Sequence, residues 1–308
     1  MIRIGILGIG GVGGYFGGKM AKHYENSDEV KIIFIARGNT LDVIKKRGLT
    51  LIDNGEQDAI QPSLVSDDPE EIGTLDVLLC CTKSYGLQES IAPLTGCIGK
   101  DTIVVPLQNG VNGREAVLAV CGEAKIIYGC VYLVSKVTEP GVVSRSGAIN
   151  RMCFGIETGL ESRLKELEQI IKAAGLDAVY TTDILKVTWS KFVFISPVAT
   201  MTSATNQSIG AILEVDSQRA MLARLMGEVA QVAAAKKIGL PAEAVDNAMA
   251  VARSLPYDTY SSMHTDVQKG RQTEIEALTK YVIDEGVACG VATPVFERLY
   301  GQLCALMG

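Results

Sequence analysis

The run Gly8-Ile9-Gly10-Gly11-Val12-Gly13 has the spacing G-x-G-x-x-G, which lets a backbone come close to a phosphate. It follows the apolar stretch 2–7 and opens a helical pattern at 12–24, within a βαβ-sized segment of about 30 residues. In that setting Gly8 permits a tight turn, Gly10 lets the backbone approach a pyrophosphate, and Gly13 lets helix and strand pack closely. The helix N-terminus then presents free N–H groups and partial positive charge to the phosphates. The next strand pattern ends Ile35-Ala36-Arg37, with Arg37 where NAD sites place an acid for the ribose 2′-hydroxyl. A guanidinium suits a 2′-phosphate through bidentate, charge-assisted hydrogen bonds. The expected cofactor is NADP(H).

Two further strand ends carry candidate polar groups, Lys83 in Cys81-Thr82-Lys83 and Asn109 in Gln108-Asn109-Gly110. Ligands in open α/β sheets bind beyond the carboxyl ends of the strands, so Lys83 is placed to serve phosphates or substrate. Asn109 fits two readings, a bridge between cofactor and substrate or one half of an Asn-Gly turn. Lys191 lies within the apolar run Trp189-Ser190-Lys191-Phe192-Val193-Phe194-Ile195, where a lysine either snorkels or serves as a general acid or anion binder. Ser262 and Glu274 are separated by a polar stretch and read equally as helix or cap positions. Thr273 and Glu276 have capping-box spacing.

Positioning these residues requires alternating strands and helices in the first half. Strand patterns lie at 2–7, 30–36, 77–82 and 102–105, with helical patterns at 12–24 and 41–46, so a parallel sheet is expected. Residues 141–144 and 150–155, joined by Arg145-Ser146-Gly147, read as a hairpin-like pair. A helix at 160–174 and a short strand at 176–180 close this half. From Asp183 the pattern is helical, over 184–203, 214–237, 242–254, 273–289 and 294–307. Pro197 is expected to kink or interrupt the first of these helices. The fold class is therefore α/β: a dinucleotide-binding domain at 1–182, then an all-helical domain at 183–308.

Composition narrows the function. The net charge of −6 and the lack of a basic run argue against nucleic acid. No apolar run reaches the ~20 residues of a membrane span. The eight cysteines show no metal spacing and only two histidines are present, so no metal is expected. A reducing, cytoplasmic setting fits this cysteine usage.

Taken in order, the glycine loop, Cys81-Thr82-Lys83, Gln108-Asn109-Gly110, Trp189-Ser190-Lys191, and the pair Ser261-Ser262-Met263 and Thr273-Glu274 resemble the ketopantoate reductase (2-dehydropantoate 2-reductase) family. The resemblance covers nearly the whole chain. It implies a Rossmann-like domain plus a helical domain, with the active site in the cleft between them. It also implies hydride transfer from NADPH to the 2-oxo carbon of ketopantoate, giving pantoate for pantothenate and coenzyme A synthesis. By position, Lys191 resembles the catalytic lysine, and Glu274 the glutamate that engages the substrate hydroxyl and the lysine's surroundings. Asn109 matches the residue near nicotinamide and substrate, Ser262 the contact to the substrate carboxylate, and Arg37 and Lys83 the phosphate-side contacts.

One departure stands out. Many family members carry asparagines four and eight residues after the lysine, where this chain has Ile195 and Ala199. Either Ser196 or Thr200 substitutes, or the substrate is a different, less polar 2-oxo acid. A related hydroxy acid dehydrogenase and a nicotinamide-binding sensor without turnover are the competing readings. Helical domains of this type commonly present apolar faces for pairing, so a homodimer is the expected assembly.

Overall fold

The computed structural model describes residues 1–122, 124–156 and 159–307. It divides into two compact units, Met1–Gln108 with Asn112–Ile184, and Leu185–Gly308 with Asn109–Val111. The division falls two residues beyond the expected 182/183 boundary. The short stretch Asn109–Val111 groups with the helices rather than with the strands that flank it in sequence.

The first unit is built on a parallel sheet. Its strands lie in the order β5 (Leu64–Ser66), β2 (Val30–Ile35), β1 (Ile2–Leu7), β6 (Leu75–Cys80), β7 (Ile98–Pro106) and β8 (Lys125–Ile126). Both faces are covered, which explains the nearly unbroken apolar runs. Ile4, Ile6, Phe34, Leu79 and Val105 pack into one core, while Leu7, Ile33, Ile35, Leu78 and Val104 pack into the other. The chain reverses direction across the sheet between β1 and β6, the switch point where such sheets bind ligands.

Helix α1 (Gly11–His23) follows β1, and α2 (Gly38–Arg47) follows β2. A second sheet was not foreseen. It runs β11 (Asp177–Tyr180), β10 (Val142–Gly155), β3 (Leu49–Asp53) and β4 (Glu56–Ile60), and β9 (Tyr128–Glu139) pairs with β10. Gly17 of α1 lies against Ile6 of β1, and Gly14 against Val143 of β10, so α1 is packed between the two sheets. Arg145 of β10 stacks over the Tyr15 ring and pairs with Asp53, which ties the same helix to β3. Short helices α3 (Pro69–Ile72), α4 (Leu87–Ile91) and α5 (Gly113–Leu118) and the longer α6 (Glu161–Ala173) complete this unit.

The expected hairpin within 141–155 is corrected. Residues 142–155 form one long strand, and its antiparallel partner is β9, across the turn at Pro140-Gly141. The turn-like Arg145-Ser146-Gly147 marks a bulge, where the register jumps from Ser146–Val134 to Asn150–Leu133.

The second unit is helical among its described residues: α7 (Ile184–Thr205), α8 (Ile209–Glu214), α9 (Asp216–Ala235), α10 (Ala244–Ser254), α11 (Ser262–Gln268), α12 (Tyr281–Cys289) and α13 (Pro294–Met307). Pro197 does not interrupt α7, because the missing N–H removes one ladder bond while Val193, Val198, Ala199 and Met201 are held in the core. The helix expected at 214–237 is broken at Val215, whose backbone is extended. A wide π turn, Glu276–Lys280, precedes α12 and replaces the regular start expected at 273. The capping box is absent there: the Thr273 hydroxyl donates to Met307 Sδ, and Glu276 accepts from Tyr300.

Ser261 is the N-cap of α11; it accepts from the His264 N–H and pairs with the Thr202 hydroxyl of α7 at 2.8 Å. His264 stacks on Tyr260 and meets Asn206 Oδ1 through Nε2 at 2.8 Å. Burial pushes the His264 imidazole below its ordinary value near 6.5, so the folded protein favours the neutral ring. The unfolded chain therefore takes up the proton first, and this stabilisation is present above about pH 6.5 and lost as pH falls. Thermal melts between about pH 8 and about pH 5 should show a decline that flattens in His264→Gln.

Candidate active site

Backbone pairing continues one residue beyond the strands. Gly8 N–H donates to Ile35 O, Cys81 N–H to Leu7 O, and Leu107 N–H to Cys80 O. This aligns the carboxyl ends of β1, β2, β6 and β7, where Gly8–Gly13, Arg37, Lys83 and Gln108 follow. Gln108 reinforces the arrangement, its amide donating to Cys80 O at 2.9 Å and Thr82 O at 3.0 Å.

The glycines of the loop divide their tasks. Gly8 has φ of +90°, and a Cβ there would lie 2.7 Å from Thr82 Cγ2. A Cβ on Gly13 would collide with the Gly8 carbonyl oxygen, so this position is fixed by helix–strand packing. Gly10 is different: its backbone is extended, and a Cβ there would meet nothing within 4 Å. The space beside Gly10 is open to a ligand. Helix α1 has no side-chain cap and no acidic residue in its first turn, leaving its N–H groups and partial positive charge for an anion. Thr82 Oγ1 and Gln108 Oε1 are also buried without a hydrogen-bond partner among the described residues. The chemistry of this crevice fits a dinucleotide.

Arg37 is exposed just beyond β2, and one of its nitrogens reaches Ser90 Oγ at 3.4 Å. Lys83 caps a short 3-10 turn after β6 and is half-buried. Cys80 and Cys81 are not nucleophiles, since burial pushes both thiols up, that of Cys81 to about 12.

In the helical unit, Lys191 Nζ donates to Asn109 Oδ1 at 2.9 Å. Both side chains are half-buried. One ammonium hydrogen of Lys191 is thus held by a neutral oxygen acceptor. Glu274 is 3% exposed, at the entry to the π turn, and belongs to this same unit. Ser262 is exposed in the first turn of α11, and Ser261, not Ser262, makes the cap.

 

Ala199 is 1% exposed, and Ile195 packs against the same core cluster. Ser196 and Thr200 do not replace a substrate-facing donor: their hydroxyls bond to Leu278 O and Thr279 Oγ1 inside the unit. Sequence reasoning missed Gln108 and Thr82, whose only signal was their place at the ends of two apolar strands. It also left open the role of Asn109, because its acceptor function depends on a residue far along the chain. Among the described residues no group of three or more His, Cys, Asp or Glu could hold a metal ion, and no helix is long and apolar enough to cross a membrane.

Residues 4–157 match the family model described as ketopantoate reductase PanE/ApbA, and residues 183–306 match the model of its C-terminal part. The chain belongs to the ketopantoate reductase PanE/ApbA family. It is an oxidoreductase acting on a CH–OH group. A curated relative from Bacillus subtilis (strain 168), the uncharacterized oxidoreductase YkpB, is 28% identical and aligns over 97% of this chain and 96% of its own. The structure of 2-dehydropantoate 2-reductase from Porphyromonas gingivalis W83 is 30% identical, covers 98% of this chain and 99% of its own, and superposes with a TM-score of 0.84. A D-mandelate dehydrogenase solved with NADH and anilino(oxo)acetate shares the fold, with a TM-score of 0.87 at 23% identity over 99% of this chain and 98% of its own.

The glycine tasks separate experimentally. Gly10→Ala should leave the melting temperature within about 2 °C while weakening nicotinamide dinucleotide binding by at least about tenfold. Gly13→Ala should instead lower the melting temperature, as read by calorimetry alongside a binding titration.

Proposed function

We propose that this protein reduces a 2-oxo acid with NADPH, ketopantoate being the first candidate, and that Lys191 is its general acid. The observation that carries the reading is the half-buried Lys191 ammonium held by Asn109 Oδ1 at 2.9 Å. Gly8–Gly13 and the first turn of α1 hold the pyrophosphate, with Lys83 serving the phosphate side. Arg37 pairs with the 2′-phosphate. When bound, the reduced nicotinamide supplies a hydride to the 2-oxo carbon. As the carbonyl electron pair moves onto oxygen, Lys191 stabilises the developing charge and gives that oxygen a proton. The lysine is left neutral and regains its proton from solvent. Asn109 accepts one ammonium hydrogen and so orients the group, Ser262 binds the substrate carboxylate, and Glu274 engages the substrate hydroxyl.

A second reading concerns the substrate alone. Ile195 and Ala199 are apolar, and the hydroxyls of Ser196 and Thr200 are already engaged. A polar substrate group facing Ile195 would lose about 1–3 kcal/mol for each unmet hydrogen bond. These observations favour a 2-oxo acid with a less polar side chain. The fold does not decide between them, because a D-mandelate dehydrogenase shares it.

The test follows NADPH absorbance with ketopantoate and a panel of 2-oxo acids, with NADH in parallel. Rapid NADPH oxidation by ketopantoate supports the first reading, and oxidation only by apolar 2-oxo acids supports the second. Lys191→Ala should lower kcat by about 10²–10⁴-fold while NADPH still binds. Arg37→Ala should raise the KM for NADPH about tenfold and leave that for NADH nearly unchanged. NADPH binding without turnover across the panel would sink the reductase reading in favour of a sensor.

A further inference from the structure

The helix that carries Lys191 also carries two buried hydroxyls that the proposed chemistry does not use. Ser196 and Thr200 are both 0% exposed, one turn apart on α7. The Ser196 hydroxyl donates to the main-chain oxygen of Leu278 at 2.6 Å. Thr200 Oγ1 meets Thr279 Oγ1 at 2.8 Å. Leu278 and Thr279 both lie in the π turn Glu276–Lys280, so two successive residues of that turn are held from the same helix face.

That face has a third anchor. Phe192 lies one turn before Ser196, and its ring packs edge-on against Tyr281 at 6.1 Å, with Trp189 6.5 Å from the same ring. Tyr281 is the first residue after the π turn, and Glu274 stands two residues before it. A π turn holds about one residue more than an α turn, and its hydrogen-bond geometry is poorer. Converting it to α would rotate the preceding segment by about one residue, or roughly 100°, relative to the segment that follows. With Tyr281 fixed on α7, that rotation would fall on Glu274.

A hydroxyl buried this completely is unfavourable unless it is hydrogen-bonded, and alanine or valine would fill either position without that demand. The polar pair therefore calls for an account beyond packing. We infer that Ser196 and Thr200 are positioning residues, whose hydroxyls keep Glu276–Lys280 in its π form and thereby set the orientation of the Glu274 carboxylate. The inference rests on the reading of Glu274 and Lys191 as parts of one reductase site. Neither hydroxyl touches substrate in this account; both act through Glu274.

The experiment compares Ser196→Ala, Thr200→Val and the conservative Thr200→Ser in the full-length protein. Amide hydrogen exchange reports the segment 276–283. A ¹³C titration of the Glu274 carboxyl, assigned with Glu274→Gln, reports its surroundings without any turnover. Ser196→Ala and Thr200→Val should speed exchange in that segment at least about tenfold and move the Glu274 titration. They should also lower kcat about tenfold or more while leaving the KM for NADPH unchanged, and Thr200→Ser should restore all of these. Unchanged exchange, an unmoved Glu274 titration, or a Thr200→Ser variant no better than Thr200→Val would overturn the inference. If Thr200→Val does not fold, Ser196→Ala decides the matter by the same readings. A wild-type protein that reduces no 2-oxo acid would remove the proposed function, while exchange and titration would still decide whether these hydroxyls orient Glu274.

Discussion

An ammonium group on an apolar helix needs an oxygen to face, and in this protein Asn109 provides it. Lysines are rarely buried without a partner, because withdrawing the charge from water is costly. The Lys191–Asn109 hydrogen bond meets part of that need with a neutral acceptor. The constraint reaches into the chain path: Asn109–Val111 follow a strand of the first sheet, yet they group with the helical unit, and Val111 lies in its core. The excursion that brings Asn109 to Lys191 is thus anchored by a buried valine two residues later.

A different economy governs the glycine-rich start of the chain. Gly8 and Gly13 answer to backbone geometry, and Gly14 and Gly17 to the packing of α1 against two sheets. Gly10 answers to neither, since a side chain there would meet no protein atom. One short sequence therefore combines positions the fold demands with one whose side-chain space the fold leaves open. Motif spacing alone does not separate these cases, because both require the same residue type.

Much of the fold was legible because the first sheet is buried on both sides. Doubly buried strands leave long apolar runs, and Ile2–Leu7 and Pro294–Met307 read from sequence with the bounds they have in the structure. The second sheet was hidden for the opposite reason. Its strands are partly exposed and mix polar with apolar residues, as in Glu56–Ile60, and the chemistry of Arg145-Ser146-Gly147 resembles a turn although it forms a bulge. At the candidate site, Lys191 was legible as an anomaly within its apolar run. Its partner was not, because Asn109 lies 82 residues away and its Asn-Gly sequence fits an ordinary turn equally well. The π turn was illegible too, since the groups that hold it come from α7.

Helix α7 shows how one segment can meet several demands on separate faces. Phe192, Ser196 and Thr200 recur every four residues and meet the π turn and Tyr281. Lys191 and Ile195 lie on an adjacent face, and Ala199 extends it into the core. Because the hydroxyls are already engaged on their own face, they cannot also serve a ligand beside Ile195. A substrate group there would meet hydrocarbon, so a hydroxyl would lose its water without gaining a partner, whereas a methyl or ring would lose nothing. The discrimination expected from this is one-sided: it disfavours polar substituents more than it selects among apolar ones. Under the proposed function, the helix that carries Lys191 thus also bears on which 2-oxo acids are accepted.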